Sequence, residues 1–218
     1  MKIDKNSYGT IAWVWLVLAA IVACMFAFVR VTFITIPFSL LVFLFMFFVA
    51  WFHRVPSRSV SDEDPREVTS VADGKVVIVE KVYEPEYFKR ECTQVSVYMD
   101  FFKVHSNFWP MTGTISYYKY HPGDYFLAFL PKASERNEHS STGIRNEYGE
   151  IFFKQIAGAF ARRIVCYSEE GKVVSKGEQC GIIKFGSRID VFLPLDAELK
   201  IKVGDYTRAC ETVLAILK

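Results

Sequence analysis

An apolar run from Ile11 to Phe52, in which Arg30 is the only formally charged residue, restricts this chain more than any other feature. Arg30 divides it into stretches of about 19 and 22 residues, and a helix needs about 17 to 25 to cross the hydrocarbon core of a bilayer. Two apolar spans, about 11–29 and 33–52, therefore make a helical hairpin with Arg30 near its tip. Lys2 and Lys5 precede the run and Arg54 and Arg58 follow it. The tendency of basic flanks to stay inside puts both ends on the cytoplasmic side of the cell (inner) membrane. Pro37 and the threonines and serine around the second stretch fit, as the alternative, a shallower insertion into one leaflet. A cleaved leader fits less well, because the second apolar stretch follows at once and no small-x-small site separates the two. Residues 1–54 are read as the membrane hairpin.

Residues 55–66 hold Pro56, Pro65, three serines and three acidic residues, a composition that breaks both helix and strand. They read as a linker to a domain over 67–218. Beyond it the pattern is β: Lys75–Val79 is short and β-branched, Cys92–Phe101 alternates, and Gly113–Tyr120 continues the theme. Turn signals at Asp73-Gly74, Pro122-Gly123-Asp124, Glu170-Gly171 and Gly204-Asp205 bound these runs. The expected fold class is mainly β, a β-rich α+β domain built as a barrel-like sandwich behind an N-terminal helical transmembrane hairpin. At 218 residues and 51% hydrophobic content there is enough chain for one such domain plus the anchor.

Charge and cysteine usage exclude several functions. With 26 basic and 24 acidic residues the net charge is +2, so no global basic field favours nucleic acid. The five cysteines form no Cys-x-x-Cys pair and read as free thiols of a reducing compartment. Four histidines without clustered ligand spacing give no support to a metal site.

Chemistry concentrates at Phe185-Gly186-Ser187-Arg188, set between two β-like runs, together with Ala72-Asp73-Gly74 and Val104-His105 far upstream. A serine hydroxyl is a weak nucleophile until a base takes its proton, and a histidine base works best when a carboxylate fixes its tautomer. Ser187, His105 and Asp73 supply these three groups. The Gly-x-Ser-x-Gly elbow of α/β-hydrolases is absent and Gly186 directly precedes the serine, so the Gly186-Ser187 bond is a target for its own hydroxyl. Taken singly, Asp73 reads as a turn aspartate, His105 as a structural histidine and Ser187 as a small turn residue. Their joint occurrence carries the functional reading.

Six blocks in order resemble the short form of the phosphatidylserine decarboxylase family over about Pro65–Lys218: Val71-Ala72-Asp73-Gly74-Lys75-Val76, Phe102-Lys103-Val104-His105-Ser106-Asn107, His121-Pro122-Gly123, Lys132-Ala133-Ser134 with Asn137-Glu138, Gln155-Ile156-Ala157-Gly158 leading to Ala161-Arg162-Arg163-Ile164, and Phe185-Gly186-Ser187-Arg188. The resemblance implies autocatalytic cleavage between Gly186 and Ser187. Large and small subunits then come from one precursor, the small one beginning with a covalent pyruvoyl group made from Ser187. This self-generated cofactor would form a Schiff base with phosphatidylserine, a membrane phospholipid substrate, and release carbon dioxide to give phosphatidylethanolamine. One of Arg162 and Arg163 would meet the lipid phosphate, since adjacent strand residues point to opposite faces. A homo-oligomer is compatible with the sequence. Phe102 stands where longer members carry a second histidine, so the resemblance assigns no proton donor to the substrate Cα.

Two readings from other classes compete. One is a membrane-anchored β-barrel interaction module: Gly171–Gly177 and Leu199–Asp205 resemble a biotinyl or lipoyl carrier barrel, without a lysine at an obvious hairpin tip. The other is a membrane serine peptidase acting on other chains, which needs an open cleft at Ser187.

Overall fold

A computed structural model of the chain describes residues 2–29, 31–60, 64–100, 102–124, 137–158, 164–183 and 187–218. It divides into two compact units, residues up to Pro56 and residues from Ser57 on.

The first unit is a helical hairpin. Strand β1 (Lys2–Ile3) leads to α1 (Tyr8–Phe28) and α2 (Thr32–Phe52), and β2 (Arg54–Val55) follows. Each helix has 21 residues, which at about 1.5 Å per residue matches the roughly 30 Å of bilayer hydrocarbon. β1 pairs antiparallel with β2, Lys2 opposite Val55 and Ile3 opposite Arg54, so both chain ends leave at the same end of the hairpin. The Trp15 indole N–H donates to the Met46 carbonyl at 3.0 Å and ties α1 to α2. Arg54 sits 3.4 Å over the Trp51 ring, a cation–aromatic pair of the kind that suits the headgroup level. Large apolar side chains stand outward along both helices, Phe33 at 89% and Phe43 at 66% exposure. A surface of this kind requires an apolar surrounding, and by length and composition both helices suffice to cross a membrane.

The second unit is almost entirely β. Its strands are β3 (Glu67–Thr69), β4 (Gly74–Glu84), β5 (Arg90–Met99), β6 (Ser106–Phe108), β7 (Gly113–His121), β8 (His139–Asn146), β9 (Gly149–Ala157), β10 (Ile164–Cys166), β11 (Val173–Val174), β12 (Gln179–Ile183), β13 (Ser187–Leu193), β14 (Glu198–Leu199), β15 (Tyr206–Thr207) and β16 (Val213–Ile216). Eight of them form one sheet in the order β11-β7-β8-β9-β13-β5-β4-β15, curled into a half-barrel. Two three-stranded sheets, β10-β12-β6 and β14-β16-β3, complete the sandwich. The mainly β expectation holds, with β4 longer than its β-branched start suggests: Gly74–Glu84 rather than Lys75–Val79. At its first residue, a Cβ on Gly74 would lie 2.3 Å from the Tyr98 carbonyl oxygen, so only glycine lets β4 approach β5 there.

Strand pleat sorts the side chains to two faces. Val95, Val97 and Met99 of β5, Ile151, Phe153 and Ala157 of β9, and Ile189, Val191 and Leu193 of β13 join the main core. The alternate residues Cys92, Phe152 and Phe192 pack with Phe88 on the other face. Arg188 and Asp190 share that second face and neutralise each other, Nε to Oδ1 at 2.8 Å and Nη2 to Oδ2 at 2.9 Å, both side chains fully buried.

The turn from β4 to β5 hangs on one side chain. Glu84 is buried, and its carboxylate accepts the backbone N–H of Glu86 at 2.9 Å, Tyr87 at 2.7 Å and Phe88 at 2.8 Å. Removing the acceptor leaves these donors short of a partner, each worth about 1–3 kcal/mol when buried. Glu84→Ala is expected to destabilise the β unit by about 3 kcal/mol, and Glu84→Gln, which keeps one oxygen, by less. Urea unfolding of the two variants beside wild type measures the difference.

Candidate active site

Ser187 opens the central strand β13, bonded on both edges: opposite Met99 of β5 and opposite Ala157 of β9. With no bulge in either ladder, Ser187 shares the core face with Ile189, Val191 and Leu193. Its side chain is fully buried, and Oγ–H donates to the Met99 sulfur at 2.8 Å. A thioether is a weak acceptor. The hydroxyl is thus oriented without being locked to a strong partner.

A buried polar chain fixes this end of the sheet. The Asn107 amide donates to the same Met99 sulfur at 3.7 Å and accepts from Gln155 Nε2 at 2.8 Å, while Ser140 Oγ donates to Gln155 Oε1 at 2.9 Å. Asn137 Nδ2 donates to the Ala157 carbonyl at 2.7 Å, holding the residue that faces Ser187. All of these side chains are fully buried, where a satisfied network rigidifies its surroundings. Gln155 falls in one of the six blocks of the resemblance, whereas Met99 carries no sequence signature as a site residue and looks like the last apolar residue of an alternating strand.

His105 precedes β6 and is fully buried. Its carbonyl accepts the Ile183 N–H at 3.2 Å, and Ser106 pairs with Ile182, so it stands beside the end of β12, four residues before Ser187. Its Nδ1 lies 3.1 Å from the Lys103 carbonyl oxygen. A carbonyl only accepts, so the proton of this contact is on Nδ1 and the lone pair of the neutral ring is on Nε2, the arrangement a general base requires.

Asp73 lies at the entrance of β4. One carboxylate oxygen accepts from Arg58 Nη2 at 2.5 Å and the other from the Ala209 N–H at 2.8 Å. The ion pair is largely buried, with side-chain exposures of 5% for Arg58 and 11% for Asp73. The nitrogen of His105 that an orienting carboxylate would take is thus on a backbone carbonyl, and Asp73 is engaged by the Arg58 guanidinium. From the sequence Arg58 is a membrane-flanking charge, and nothing in its spacing links it to Asp73. Burial pushes the neighbouring Cys210 thiol up to about 12, which keeps thiolate chemistry away from this corner. Phe185, Gly186, Arg162 and Arg163 lie outside the described residues.

The sequence matches the family described as phosphatidylserine decarboxylase over residues 45–215. A phosphatidylserine decarboxylase proenzyme of Cytophaga hutchinsonii is 45% identical over 81% of this chain and 79% of its own length. One from Porphyromonas gingivalis is 36% identical over 100% of this chain and 99% of its own, and one from Bacteroides thetaiotaomicron is 44% identical over 77% and 74%.

Breaking a buried ion pair from one side costs about 3–5 kcal/mol, because the remaining charge is left buried without compensation. Arg58→Met is therefore expected to lower stability by about 3 kcal/mol, and the double change with Asp73→Asn to recover part of the loss. A double-mutant cycle on urea midpoints reads the coupling.

Proposed function

The chain belongs to the phosphatidylserine decarboxylase family, and on that premise we propose that it cleaves itself at Gly186-Ser187 and then decarboxylates phosphatidylserine to phosphatidylethanolamine. One observation carries the reading: the His105 carbonyl accepts the N–H of Ile183, the last residue of β12, and Ser187, four residues further along the chain, opens β13.

His105 Nε2 takes the proton of Ser187 Oγ, and the oxygen attacks the Gly186 carbonyl carbon. The C–N bond breaks, leaving an ester between Gly186 and Ser187 Oγ and a free amine on Ser187. Loss of the Ser187 Cα proton then expels the Gly186 carboxylate from Cβ. The resulting enamine tautomerises to an imine, and water replaces its nitrogen as ammonia. What remains of Ser187 is a pyruvoyl group at the head of residues 187–218. Asp73 acts here as a positioning residue: paired with Arg58 and holding the Ala209 N–H, it stiffens the entrance of β4. When formed, the pyruvoyl supplies a ketone that takes the substrate amine and accepts the electron pair left as carbon dioxide departs.

The residues present fit that group. Ser187 is fully buried on the core face, beside a thioether and the uncharged Asn107–Gln155 chain, so a small carbonyl made there is shielded from water. The hairpin holds the domain at the membrane, with the basic flanks supporting a cytoplasmic face. Residues 1–54 serve as anchor, 55–66 as linker and 67–218 as the decarboxylase domain. One of Arg162 and Arg163 binds the lipid phosphate.

Ser187→Ala is expected to run as one uncut chain and release no carbon dioxide from labelled phosphatidylserine. His105→Ala should remain uncut as well, while Asp73→Ala is cut slowly, because removing a positioning residue costs less than removing the base. Normal processing of His105→Ala on a denaturing gel would assign the base to another group.

A further inference from the structure

On the sheet face opposite Ser187, three ligating side chains from distant parts of the chain converge. His121 ends β7 and His139 begins β8, directly opposite each other in the ladder, and their rings stack at 4.3 Å with 13° between planes. Glu86, from the β4–β5 turn that Glu84 organises, brings Oε1 to 2.6 Å from His121 Nε2. One ligand atom from each of Glu86, His121 and His139 falls within 4.8 Å of the others. We infer that Glu86, His121 and His139 form a binding site for one divalent transition-metal ion of the zinc class, independent of the serine chemistry on the other face.

The surroundings suit ligation. His139 Nδ1 donates to the Asn137 carbonyl at 2.7 Å, which leaves Nε2 with the lone pair, and a carbonyl behind a histidine is a standard support for a metal ligand. Glu86 is paired with Lys154 on one side and faces His121 on the other. Its oxygens divide the labour: Oε2 is taken by Lys154 Nζ at 2.7 Å and Ser141 Oγ at 3.1 Å, while Oε1 faces His121 and accepts from Tyr117 at 3.1 Å. An ion entering between Oε1 and the two rings displaces the proton shared by Oε1 and His121 Nε2, which leaves to solvent. Zinc holds nitrogen and oxygen at about 2.0–2.1 Å, so its ligand atoms lie about 3.3 Å apart. The widest separation closes by rotation of the side chains, and two histidines with one carboxylate leave a fourth position for water.

The test uses the full chain in detergent, freed of any histidine tag and stripped with chelator, and titrated with Zn²⁺ and separately with Co²⁺. One equivalent of each should bind, zinc should raise the melting temperature, and the cobalt form should show visible bands of a nitrogen–oxygen site without thiolate charge transfer. His139→Gln and Glu86→Gln, checked for folding by circular dichroism, should each weaken binding tenfold or more. Lys154→Met keeps all three ligands and removes a competing cation, so it should bind zinc at least as tightly as wild type. No saturable binding by wild type, unchanged binding in both ligand variants, or a thiolate band that assigns the ion to cysteine would each overturn the inference.

Discussion

The double ladder around β13 is the constraint on which the rest of this structure depends. Ser187 is paired to Met99 on one edge and to Ala157 on the other, with the same register running down to Leu193 and Phe192 respectively. Because side chains alternate, a slip of one residue would turn Ser187 to the opposite face and carry Ile189, Val191 and Leu193 out of the core with it. The apolar packing of three residues therefore fixes where one hydroxyl points. The connection from β12 begins beside His105, so hydrophobic burial and placement of the candidate base are joined through two neighbouring strands.

The two faces of the sheet carry different electrostatics. Around Ser187 the polar groups are neutral amides, a hydroxyl and a thioether, all buried and bonded to one another. Across the sheet the polar groups are charged: Arg188 with Asp190, and Lys154 with Glu84 and Glu86. A buried charge needs a partner in place before it is stabilised, and each of these has one within the same face. Among the described residues, no charged side chain is hydrogen-bonded to the Ser187 hydroxyl, whose partner is the Met99 sulfur.

Much of this was legible in the sequence. The apolar lengths before and after Arg30 correspond to α1 and α2, and the alternation of Cys92–Phe101 and Gly113–Tyr120 corresponds to β5 and β7. Turn signals did well where glycine takes positive φ, as at Gly171 and Gly204. Strand β8 was not visible: His139–Asn146 contains one large apolar residue, Ile144, and its burial rests on hydrogen bonds such as Ser140 to Gln155 and Thr142 to Ser168. Periodicity of apolar residues cannot register a strand held by polar side chains. The Arg58–Asp73 pair and the Glu86, His121 and His139 group were hidden for another reason. Their members are far apart in sequence, and only the register of β7 on β8 and the fold of the linker bring them together.

The fate of the Gly186-Ser187 bond decides between self-processing and an intact chain, and an intact-mass spectrum of the purified wild-type protein tests it most directly. Two polypeptides are predicted, one ending at Gly186 and one covering 187–218 whose mass is lower than the encoded peptide by one ammonia and whose N-terminus resists stepwise degradation. A wild-type protein that decarboxylates phosphatidylserine while remaining whole, or a small chain that begins with an ordinary serine, would contradict it.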